Sequence, residues 1–146
     1  MTDIKAITPY ERKAFYYETD QMGVIHHSNY IRWFEEARVD FLEKAGFSYK
    51  RMEDMGVMIP VLGASCEYKN AVRFSDTVII VPKIQEFNGF KMTVTYRVIR
   101  KEDNLLMAVG ETKHCFSNKE MRPIRTKKDY PEIFEVFNSV IGVDFY

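Results

Sequence analysis

Between residues 30 and 45 apolar side chains recur every three or four positions. Tyr30, Trp33, Phe34, Ala37, Phe41 and Ala45 fall on one stripe, while Arg32, Glu35, Glu36, Asp40, Glu43 and Lys44 take the other side. The spacing predicts a helix of about sixteen residues. Asp40 and Lys44 stand in the favourable acid-first order, four apart. Ser28 or Asn29 is expected to cap the start, since either side-chain oxygen can accept from an unpaired amide of the first turn. Gly46 suits the left-handed position just past the end.

Elsewhere the pattern alternates, as strands do. Tyr10 to Thr19 reads as a first strand, and Asp20 to Ser28 as a loop with Gly23 as its flexible point. Val61 to Asn70 and Thr77 to Phe87 are further strands, the second bulged or at an edge near Pro82, which lacks a ladder donor. Asn88-Gly89 signals a tight hairpin with positive φ at both residues. Phe90, Met92, Val94, Tyr96 and Val98 then share one face, with Lys91, Thr93, Thr95 and Arg97 on the other. A turn at Lys101 to Asn104 leads into a last strand, Leu105 to Ser117. A basic connector follows from Met121 to Lys128, and Asp129 with Pro131 opens a short helix through about Asn138. The result is an α+β chain: a strand, one long helix, then an antiparallel meander. The helix needs a sheet to cover its stripe. One helix covers only one sheet face, so exposed surface and edges favour self-association.

Composition narrows the class. The 146 residues suit a single domain over 1–146, with little room for a second. Lys plus Arg and Asp plus Glu each number 21, so no global charge draws the chain to nucleic acid or an anionic membrane. No apolar run reaches the length of a membrane span, and MTDIKAITPYERK lacks the layout of a secretory leader. Cys66 and Cys115 form no CxxC pair and read as reduced, buried thiols of a cytoplasmic protein. His114 beside Cys115 lacks zinc-ligand spacing, and strand neighbours point to opposite faces. Neither a metal nor a cofactor is expected.

The loop before the helix gathers the chemistry: Tyr17, Asp20, Gly23, His26, His27 and Asn29. A helix N-terminus presents unpaired amides and the positive end of the dipole, a site for an anion or a developing oxyanion. Asp20, seven residues before His27, could act on an acyl group whose oxygen rests on those amides. The plainer alternative makes Asp20 the cap of a turn and the histidines surface residues. No G-x-S-x-G elbow offers a serine nucleophile instead.

The run Tyr17-Glu18-Thr19-Asp20-Gln21-Met22-Gly23-Val24-Ile25-His26-His27-Ser28-Asn29-Tyr30, continuing in Trp33-Phe34-Glu35-Glu36-Ala37-Arg38, resembles the signature of the 4-hydroxybenzoyl-CoA thioesterase family of hot-dog acyl-CoA thioesterases. The likeness in element order extends over roughly the first 125 residues. It implies a sheet wrapped around a long central helix, with sites at the interface of a homodimer, often within a homotetramer. It implies that Asp20 is the catalytic carboxylate, as nucleophile or as base for water. It implies that the amide of residue 27 meets the thioester oxygen, with the His27 imidazole also catalytic or positioning. His26 departs from the usual Tyr or Phe at its place.

Tyr17, Gly23 and Asn29 are assigned to substrate binding. Arg122 and Arg125 could hold coenzyme A phosphates, with a solvated basic run as the alternative. Phe87, Phe90, Tyr96 and Trp33 read as core. The expected activity is hydrolysis of an acyl-CoA or acyl-carrier-protein thioester. A hydratase on the same fold is disfavoured because His26 and His27 stand six and seven residues after Asp20, further than in that family. A non-catalytic acyl-CoA or acyl-carrier binding module is the other alternative.

Overall fold

In the computed structural model, which describes residues 7–146, five strands form one antiparallel sheet. They are β1 (Tyr10–Lys13), β2 (Val61–Tyr68), β3 (Thr77–Phe87), β4 (Lys91–Arg100) and β5 (Leu106–Cys115), in the order β1-β3-β4-β5-β2. The helix α1 (Ser28–Lys44) lies against one face of the sheet. Its stripe is buried as the pattern requires: Tyr30, Trp33, Phe34, Ala37 and Phe41 meet Val78, Ile80, Val94, Tyr96 and Val98 in one core. This is the sheet-wrapped helix expected above, an α+β hot-dog arrangement. The Asp40–Lys44 pair forms at 2.7 Å, and Gly46 takes φ +93° just beyond the helix.

Several boundaries differ from the sequence reading. The first strand stops at Lys13, because β3 begins at Thr77 directly opposite; Ala14 N–H still donates to Asp76 O, and pairing ends there. The chain then makes a single 3-10 turn, Tyr16–Glu18, drawn inward by the Glu18 side chain. Neither Ser28 nor Asn29 caps α1. His27 takes the cap position without a side-chain bond, and the first-turn amide of Ser28 donates to the His26 imidazole instead. Two short helices escaped the periodicity argument, α2 (Tyr49–Asp54) and α3 (Thr126–Asp129), since neither is long enough to show a stripe. The last helix, α4 (Pro131–Ser139), opens on Pro131, with Tyr130 rather than Asp129 at its cap.

Pro82 lies where β3 has become an edge. β1 reaches only to Ile80, so Pro82 has Tyr96 of β4 on one side and no strand on the other; a bulge follows between Ile84 and Glu86. The C-terminal tail covers that edge further on, where Gly142 N–H donates to Ile84 O at 2.8 Å. The hairpin is a turn from Asn88 to Lys91 in which Gly89 alone takes positive φ, at +97°. Asn88 does not need it, because its side-chain oxygen already accepts from the Phe90 and Lys91 amides. Phe90 therefore sits in the turn, half exposed, and leaves the core face to Met92, Val94, Tyr96 and Val98. Both cysteines are free but only half-buried. His114 points into the core while Cys115 lies outside it, the opposite faces of one strand. No helix among the described residues is long and apolar enough to cross a membrane, and the first six residues of the opening segment lie outside the description.

Candidate active site

The loop between the 3-10 turn and α1 is closed by short-range pairing. Thr19 and Ile25 form a bridge across it, and Ile25 N–H donates to Val72 O at 2.8 Å. At its tip Asp20 builds a tight turn: its amide donates to Val24 O, its carbonyl accepts from Gly23, and Oδ1 accepts from Met22 at 2.8 Å and Val24 at 3.3 Å. The turn-capping role is thus real, yet it occupies one carboxylate oxygen only. Oδ2 has no partner among the described residues, and the side chain is half-buried. Gly23 has φ +79° and open space around it, so conformation rather than crowding calls for glycine.

His27 stands at the helix start with an exposed side chain stacked on His26, ring centroids 4.1 Å apart. Its backbone N–H has no acceptor among the described residues, whereas its carbonyl accepts from Tyr30 N–H and, at 3.3 Å, from the Tyr68 hydroxyl. An unpaired amide at the positive end of a seventeen-residue helix is the donor that an oxyanion needs. The neighbouring histidine is committed elsewhere: His26 Nδ1 lies 3.1 Å from the Ser28 amide and 2.8 Å from the Ser28 hydroxyl. Asn29 turns inward, and its amide donates to Glu18 O at 2.9 Å, so it braces the loop. Tyr17 is largely exposed and stacks on Phe15, beside the loop.

Arg122 and Arg125 are exposed and form no ion pair among the described residues. Their connector is anchored at the other end of the sheet, where Thr126 N–H and its hydroxyl both donate to Gly89 O. The Asp20 loop instead contacts residues 72 and 73, ahead of β3. Eleven residues of β3 separate the two ends, about 35 Å of strand. One chain brings Tyr17, Asp20, Gly23, His27 and Asn29 together; it does not bring the two arginines to them.

Sequence reasoning missed Glu18, the most connected residue of this region. Its carboxylate is buried, accepting from the Phe15 amide, Arg12 and the Trp33 indole. Burial pushes this carboxyl up, but those three donors outweigh burial and hold it below its ordinary value. Tyr30, in the first turn, is pushed up to about 12 by burial and stays protonated, so it is no rival base. Tyr68, at the end of the edge strand β2, was also missed. An acidic residue two places before Asp20 and a tyrosine on a strand carry no periodic signal that marks them. No group of three or more His, Cys, Asp or Glu side chains among the described residues could hold a metal.

A five-stranded antiparallel sheet wrapped on one long helix defines the hot-dog class, and the loop that feeds this helix holds the candidate carboxylate and amide. Comparison with known proteins gives the family. Residues 16–137 match the thioesterase-like superfamily, and the chain belongs to it, among the hot-dog acyl-CoA thioesterases; it is a thioester hydrolase. The chain is similar to a protein of Aquifex aeolicus, 43% identical over 106 residues, 73% of this chain and 81% of that one. It is 27% identical to the acyl-CoA thioester hydrolase YbgC of Escherichia coli O6:H1 over 76% of this chain and 83% of the relative. Among solved structures, the DHNA-CoA thioesterase of Staphylococcus aureus superposes with a TM-score of 0.85 at 31% identity, covering 91% of this chain and 89% of that one.

Proposed function

We propose that the chain hydrolyses an acyl-CoA or acyl-carrier thioester to the free acid and a thiol, with Asp20 as the catalytic carboxylate. The observation that carries the reading is the pairing, in one short loop, of an open Asp20 Oδ2 with an unpartnered His27 N–H. The thioester oxygen would rest on that amide and the helix dipole. Asp20 then either takes a proton from water, whose oxygen adds to the carbonyl carbon, or adds to that carbon itself, giving an anhydride that water cleaves. In both routes the carbon–sulfur bond breaks, and the thiolate leaves and takes up a proton. A thioester is electrophilic enough for this without a serine triad.

The reading includes a second copy of the chain, and two features support it. β2 is a free edge strand that exposes Val61, Leu62 and Tyr68. Its last residue, Tyr68, reaches the His27 carbonyl, whereas its first, Val61, pairs with His114, and Pro60 and Met58 just before it meet Cys115 and Ser117 on the way into the basic connector. Antiparallel pairing of β2 with β2 of another copy sets the start of one against the end of the other. The partner's connector then approaches the Asp20 loop, which offers Arg122 and Arg125 a role with coenzyme A phosphates that a single chain denies them. The assembly is a homodimer, or a tetramer of two such dimers, of one-domain chains over 1–146, working in the cytoplasm where its two free thiols persist.

Thiol release from acetyl-, hexanoyl-, palmitoyl- and benzoyl-CoA tests the proposal. At least one should be turned over, and Asp20→Asn should abolish that turnover. Tight binding without hydrolysis would instead make this a binding module.

A further inference from the structure

We infer that Glu18 is a positioning residue for the thioester site: its carboxylate and its own carbonyl fix the loop that carries Asp20 against the first turn of α1. The inference rests on the reading of Asp20 given above. Glu18 is only 3% exposed. Oε1 accepts from the Phe15 amide at 2.9 Å and from Arg12 Nη1 at 2.5 Å; Oε2 accepts from Trp33 Nε1 at 3.0 Å. Its carbonyl accepts from the His26 amide at 2.8 Å and from Asn29 Nδ2 at 2.9 Å. One residue thus ties together the strand β1, the 3-10 turn, the helix and the residue just before the free His27 amide.

The other end of the clamp is equally fixed. Arg12 also donates to Glu36 of α1 at 2.7 Å, and Glu36 accepts from the Tyr10 hydroxyl at 2.9 Å. The guanidinium lies between two rings, 5.0 Å from the Phe15 centroid and 5.1 Å from that of Trp33. A buried carboxylate is costly unless every donor around it is aimed at it, and here three are. Asp20 is two residues along the chain from this anchor, so any shift of Glu18 is passed to it. The anchor also sets the span between Asp20 and the His27 amide, because both ends of the loop hang from the same residue. Misplacement of a catalytic group by about 1 Å costs on the order of a hundredfold in rate.

The contact with Trp33 supplies a test that simple bracing would not pass. Glu18→Gln keeps the shape, and its oxygen can still accept from Phe15 and Arg12, but its amide then faces the indole N–H, donor against donor. Trp33→Phe removes that N–H and keeps a ring. On the fastest of acetyl-, hexanoyl-, palmitoyl- and benzoyl-CoA, Glu18→Gln should lower kcat about 10- to 100-fold with KM little changed. Glu18→Gln with Trp33→Phe should recover part of that loss. Wild-type kcat in Glu18→Gln, or a loss that Trp33→Phe does not relieve, overturns the inference. Should Glu18→Gln not fold, Trp33→Phe alone decides: lower kcat at constant KM supports the clamp, and unchanged kcat overturns it. Asp20→Asn in the same assay separates the two readings. Full activity there removes both, whereas an inactive Asp20→Asn beside a fully active Glu18→Gln removes only this one.

Discussion

Phe34 lies flat on Tyr96, ring centroids 4.3 Å apart and planes 9° from parallel, and the edge of the Phe34 ring fills the space above Gly110 on the neighbouring strand β5. The helix reaches the sheet here because Gly110 has no side chain. A methyl group at this position would overlap Phe34 Cε2 and Cζ. Gly110→Ala should therefore destabilise the fold by about 1–3 kcal/mol. Adding Phe34→Leu, which withdraws the ring, should cost less than the two changes separately. Urea unfolding of the three variants measures both effects, and strict additivity would show that the close approach does not set the cost.

In the proposed site the backbone amide of residue 27, rather than the imidazole, receives the thioester oxygen. The φ of His27 is −55°, which a proline ring accommodates. His27→Pro should thus keep the fold and lose about 100- to 1,000-fold in kcat. His27→Ala should lose far less, since it keeps the amide. Equal losses in the two variants would transfer the role to the ring.

Self-association through β2 predicts a mass in sedimentation of at least two 17.3 kDa chains. Leu62 is exposed on that edge. Leu62→Lys should shift the protein toward single chains and lower turnover in parallel, since a charge on an edge strand opposes pairing. A wild-type protein that sediments as one chain at micromolar concentration and is fully active would remove the second copy from the site.

Acid should weaken the fold through His114. This buried imidazole sits at the end of a hydrogen-bonded row: Arg38 donates to the Tyr96 hydroxyl at 3.0 Å, and Thr112 Oγ1 lies 2.7 Å from both Tyr96 and His114 Nε2. Burial, with Arg38 nearby, lowers the His114 value from 6.5 to about 4. The unfolded chain then binds a proton near pH 6.5 that the folded one refuses until about pH 4. Stability is complete above pH 6.5 and falls by about 3 kcal/mol as the pH drops to 4. Melting temperatures across that window should fall steeply in the wild type and more gently in His114→Gln. Glu18, held below its ordinary value, adds a further loss in the same direction below about pH 4.5.

The helix, the four longer strands and the Asp20 loop were legible because each is written in local terms. The α1 stripe repeats at the helical period over four turns, and β4 alternates without a fault from Met92 to Val98. The first strand was overread because its end is set by where β3 begins, more than sixty residues further along. The hairpin was misread at Asn88 for a similar reason: a side-chain bond did what positive φ was expected to do. Tyr17, Asp20, Gly23, His27 and Asn29 were found together since they lie on one short run, from the 3-10 turn through the loop to the first turn of α1. Glu18 stood in the quoted motif and was passed over, because its partners Arg12 and Trp33 lie on β1 and α1, which only the folded chain brings to it beside Phe15.

By itself the sequence determined the element types, the apolar faces and the segment where the chemistry resides, because periodicity and a helix start are properties of neighbouring residues. Tertiary structure alone decided what closes around that segment: the Glu18 carboxylate is buried beneath Arg12 and Trp33, and the Tyr68 hydroxyl reaches the His27 carbonyl. It also decided that Arg122 and Arg125 stand a sheet's length from the Asp20 loop. Those facts depend on which backbone and side-chain groups meet after the chain has closed on itself. Such meetings are fixed by the burial of α1 against the whole sheet, and no stretch of neighbouring residues contains them.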